Sequence, residues 1–76
     1  MNNPRRKEIQ AIIDRLNEVR DDLEPIRDDE TEYRDNIPEN LQNSERYENA
    51  DNAANALESA VDAFYDLIEN LETAMI

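Results

Sequence analysis

The sequence predicts an all-α fold: an antiparallel two-helix hairpin that assembles into a helical bundle. Three observations predict it. Two long runs carry apolar residues at spacings that alternate between three and four. A short polar segment with Pro38 separates them. The charges beside the two runs are complementary when the runs are set antiparallel.

In the first run the apolar positions are Ile9, Ile12, Leu16, Val19, Leu23 and Ile26. With Ile9 at heptad position a, they occupy a and d. Asn3 is the expected N-cap, and Pro4 suits the first helical position. Pro25 lacks an N–H and crowds the carbonyl of Asp21, so a kink is expected near it. Tyr33 and Ile37 continue the register, so the helix is expected over about residues 4–36. Pro38 then drives Ile37 out of the helical region.

The second run is Tyr47, Ala50, Ala54, Leu57, Val61, Phe64, Ile68, Leu71 and Met75, with Tyr47 at a. It predicts a helix over about residues 45–74, capped by Ser44, with Glu45 and Glu48 at the positive end of its dipole. In an antiparallel pair, e positions face e positions. That sets Arg34 toward Asp51, Arg27 toward Asp51 or Glu58, and Arg20 toward Glu58 or Tyr65. Such exposed pairs are worth under about 1 kcal/mol each, so they fix register more than stability. Arg5, Arg6 and Lys7 are expected beside the last turns of the second helix, near Glu69 and Glu72, where cations are favoured.

A chain of 76 residues holds one domain, 1–76. A lone hairpin of that length buries little, and with no cysteine it has no disulfide to staple it. The second helix carries more apolar surface than one partner helix covers. Ala53, Ala60, Leu67 and Ala74 lie at g, and Ala56 and Ala63 lie at c. These six residues are the predicted oligomer interface, most simply in a dimeric four-helix bundle with the second helix at its centre.

The chain carries 20 acidic and 8 basic residues, for a net charge of −12. That charge disfavours direct contact with nucleic acid or anionic membrane. No segment has the length of a membrane span and no signal-peptide core follows Met1, so the expected location is cytoplasmic. Histidine, cysteine and glycine are all absent. Ser44 and Ser59 have no base to activate them, and no glycine-rich phosphate loop exists. The run "DDETE" (Asp28 to Glu32) lacks the spacing and glycine of a calcium loop. The chain is therefore read as a non-enzyme without metal or cofactor.

The loop "NIPENLQNSERYE" is the remaining candidate. Ile37 and Leu41 are expected to cap the core. Asn36, Asn40, Gln42, Arg46 and Tyr47 combine amides, a guanidinium fork and a ring, a set suited to an anion or a planar ligand. The pattern D-N-x-P-E-N-L-Q-x-S-E-R, Asp35 to Arg46, followed by an alanine- and glutamate-rich amphipathic helix, resembles short acidic helical proteins of unknown function encoded by phages and bacterial mobile elements. The resemblance implies an accessory gene product, such as an inhibitor of host defence or a small assembly factor.

Three functions follow as expectations. The first is a non-catalytic, self-associating binding protein with a protein partner or a small ligand. The second is an oligomeric sponge that sequesters a nucleotide-like signal in pockets built from the loop residues. The third is an acidic DNA mimic, a role suited to residues 48–76, which hold 7 acidic and no basic residues.

Overall fold

The computed structural model of the chain describes all 76 residues. Helix α1 spans Asn3–Asp35. Its cap is Asn2 rather than Asn3: the Asn2 side-chain oxygen accepts from the Arg5 N–H at 2.9 Å. This shift of one residue places Pro4 within the first two helical positions, where its missing N–H costs nothing. Helix α1 runs on unbroken across Pro25. Leu23 and Arg27, on either side of it, are both half-buried.

A chain without glycine must end a helix without the left-handed residue that commonly does so. No residue here has positive φ. The Asn36 N–H donates to the Glu32 carbonyl, and the Ile37 N–H donates to that of Arg34, three residues back, tightening the last turn. Pro38, at φ −56° and ψ 145°, then turns the chain away. A single 3-10 turn, Glu39–Leu41, follows. Ser44 caps helix α2, Glu45–Ala74, its hydroxyl oxygen accepting from the Tyr47 N–H at 3.2 Å. At the other end of α2 the last turn has no basic residue of its own. Arg6 supplies one, donating from Nε to the Met75 carbonyl at 2.9 Å. Of the three N-terminal cations expected beside Glu69 and Glu72, Arg6 alone contacts this end of α2, and it does so through a backbone carbonyl.

The two helices form an antiparallel hairpin, 58 × 16 × 13 Å. Only six residues are buried, all apolar: Ile13, Ile37, Ala50, Ala54, Val61 and Ile68. On α2 the seam lies where the sequence puts it. Ala50, Ala54, Val61 and Ile68 are buried at a and d, and Tyr47, Leu57, Phe64 and Leu71 are half-buried.

On α1 the seam is rotated. The covered positions are 6, 9, 13, 16, 17, 20, 23, 24, 27, 30, 31, 34 and 37, which are the a and e positions together with Asn17, Glu24 and Thr31 at b. Ile12, Val19, Ile26 and Tyr33, expected in the seam at d, are exposed. Ile13, Arg20, Arg27 and Arg34 take their place. The arginine stems account for the rotation. A long aliphatic stem covers apolar surface while its charged head stays in water. Arg34 lies level with Ala50 and Ala54, whose small side chains leave room for a stem. Ile37 plugs the closed end as expected, whereas Leu41 stays exposed and does not cap the core.

No helix is long and apolar enough to cross a membrane.

Candidate interaction face

The rotation of α1 gives the hairpin two unlike sides. On one side the e positions of both helices meet. Arg34 Nη1 lies 3.1 Å from Asp51 Oδ1, while its Nε holds Asp35 at 3.0 Å. The Arg20 guanidinium sits 4.7 Å from the centroid of the Tyr65 ring. Its Nε is 3.7 Å from Glu24 Oε1, too far for a hydrogen bond, and has no other partner. Arg27 pairs with its neighbour Asp28 at 3.0 Å and feels Glu58 only at longer range. Hydrogen bonds to Asp35 and Asp28 raise the affinity of Arg34 and Arg27 for their protons, against some desolvation.

The Tyr65 hydroxyl donates to Glu24 Oε1 at 2.7 Å. That hydrogen bond, then desolvation and the Glu24 charge, push the phenol up from its ordinary value, with Arg20 and Arg27 opposing. A phenol raised in the folded state stabilises the fold fully below its unfolded value of about 10, and that contribution is lost as pH rises through the folded value. Tyr65→Phe is therefore expected to melt lower than the parent at neutral pH. The gap should close as alkaline pH ionises the phenol. Thermal melts from neutral to alkaline pH check this, and a gap that widens with pH would contradict it.

On the other side lie the d positions of α1 and the g and c positions of α2. Tyr33 at d and Arg46 at g meet there. Arg46 Nε donates to the Tyr33 hydroxyl at 2.8 Å, and its guanidinium lies 5.4 Å from the ring centroid. Beyond that pair the middle of the side is apolar, with Arg5, Asn49 and Asn70 toward its ends. Ile12, Val19, Ile26 and Leu67 are 39, 51, 56 and 44 % exposed. A shallow open groove of about 250 Å³ lies on α2, lined by Ala60, Ala63, Phe64 and Leu67. No Asp or Glu occupies a g or c position of α2, in a chain with 20 of them.

Of the predicted interface residues, Ala53 and Ala60 are half-buried, and Ala56, Ala63, Leu67 and Ala74 are exposed on this side. Ile12, Val19 and Ile26 of α1, expected in the intramolecular seam, join them. The predicted loop site does not assemble within one chain. Asn36, Asn40 and Gln42 are exposed and line no cavity. Arg46 is turned onto Tyr33, and Tyr47 is half-buried as the first heptad residue of α2. No three carboxylates are grouped so as to hold a metal ion.

Comparison with protein-family models, with curated proteins and with solved structures found no match.

Proposed function

We propose that this chain is a non-catalytic, self-associating helical binding protein, an accessory factor of a phage or mobile element acting in the cytoplasm. The observation that supports self-association is the apolar side itself. A side that carries Ile12, Val19, Ile26, Leu67 and an open groove is what a helix-docking surface requires. The fold alone leaves it wet. The surface area is 5598 Å², against roughly 4,800 Å² for a compact monomer of this mass. The mobile-element setting rests on the Asp35–Arg46 loop pattern.

Native mass spectrometry of the parent and of Leu67→Asp tests the reading. The parent is expected as an oligomer, and the variant, with a carboxylate placed in the apolar side, as a monomer that stays helical at low temperature. A monomeric parent would overturn self-association. An oligomer that carries the mass of a small compound lost in Arg46→Ala would shift the reading to the nucleotide sponge.

A further inference from the structure

We propose that the occupant of the apolar side is a second copy of the chain, docked face to face about a two-fold axis level with Val19. In this arrangement α1 lies antiparallel on α1 and α2 antiparallel on α2. The inference rests on the self-association reading above and adds its symmetry and register.

The first argument is that the exposed strip of α1 is self-complementary. Its d positions, seven apart, are Arg5, Ile12, Val19, Ile26 and Tyr33. A two-fold axis at Val19 sets Val19 on Val19, Ile12 on Ile26, and Arg5 on the Tyr33 ring, a cation against an aromatic face. At the adjoining g positions it sets Arg15 against Asp22, and symmetry makes that pair twice. Glu8 and Asp29 also come level, but Arg5, three residues from Glu8, supplies a cation at that point.

The second argument comes from α2. The Arg34–Asp51 and Arg20–Tyr65 contacts fix the hairpin register and bring Val19 level with residues 65 and 66. The groove on α2 straddles that level. The axis therefore carries Leu67 of each copy toward the groove beside Ala60 and Ala63 of the other. One large side chain sits next to a hole lined by small ones, which is the pairing that close helix approach needs. The g and c positions of α2 carry no carboxylate, which lowers the repulsion between two copies of a chain of net charge −12 along the α2 half of this side.

The chain has no cysteine, so Val19→Cys introduces a single thiol at an exposed position. Mild oxidation is expected to convert Val19→Cys to a crosslinked dimer, because the two thiols meet on the axis. Ile12→Cys alone and Ile26→Cys alone are expected to stay largely uncrosslinked, and their mixture to crosslink as a heterodimer. The mass of the parent is measured alongside. A dimeric parent without these crosslinks overturns the register while leaving self-association standing. A monomeric parent overturns both.

Discussion

Val61→Asp is expected to abolish the folded hairpin. Val61 is wholly inaccessible, the only side chain so enclosed. No basic residue follows Arg46 in the sequence, Arg27 is held by Asp28, and the other arginines of α1 that reach α2 are committed to Asp51, Tyr65 and the Met75 carbonyl. A carboxylate there would be buried without a partner, at a cost of several kcal/mol. A scaffold this small has only about 3–5 kcal/mol from its core. Circular dichroism at low temperature should show loss of helix in Val61→Asp. Val61→Ala, which leaves a small void instead of a charge, should cost about 2 kcal/mol and stay folded. A helical spectrum and unchanged melt in Val61→Asp would mean that the seam opens more readily than its burial implies.

Pro25→Ala is expected to give the largest gain. Pro25 lies inside an unbroken helix, is exposed, and leaves the Asp21 carbonyl without the donor a helix normally supplies. Alanine restores that hydrogen bond and is about 3 kcal/mol better in a helix interior. For a domain of this size that corresponds to a rise in Tm on the order of 10 to 20 °C, compared at equal protein concentration. A Tm that stays level or falls would show that the proline sets a bend on which the packing of α1 depends. Crosslinking of Val19→Cys in the Pro25→Ala background would then report whether that bend serves the paired state.

The fold was legible because its two signals are long. The heptad of α2 persists through nine apolar positions, and each of them is buried or half-buried. Ser44, Pro38 and Ile37 behave as their local chemistry dictates. The rotation of α1 was harder to read. Ile12 and Ile13 are both apolar and adjacent, so the strip from d through a to e is continuous at that point, and either pair of positions could form the seam. Counting apolar residues favours a and d. What decides for e is the recurrence of arginine at 6, 20, 27 and 34. Those residues were read only as flanking charges, though their stems make them half-apolar. The consequence reached the candidate site: once e enters the seam, d is released, and Ile12, Val19 and Ile26 become available to a second helix. The loop residues are not gathered within one chain for a different reason. Composition put an arginine, a tyrosine and three amides in one segment, but the ring of Tyr33, thirteen residues before Arg46, captured the guanidinium.

A backbone in which no residue has positive φ also bears on the state the chain leaves when it folds. Glycine adds its greatest disorder to the unfolded chain, and each glycine replaced at a compatible site is worth roughly 0.4–1 kcal/mol through that ensemble alone. This chain makes its one reversal of direction with Pro38, whose ring fixes φ before folding begins as well as after. Its turn therefore stabilises the hairpin chiefly by narrowing what the unfolded polypeptide can explore. With six buried side chains to hold two helices of 33 and 30 residues together, a smaller entropy to surrender accomplishes what a larger core would otherwise have to.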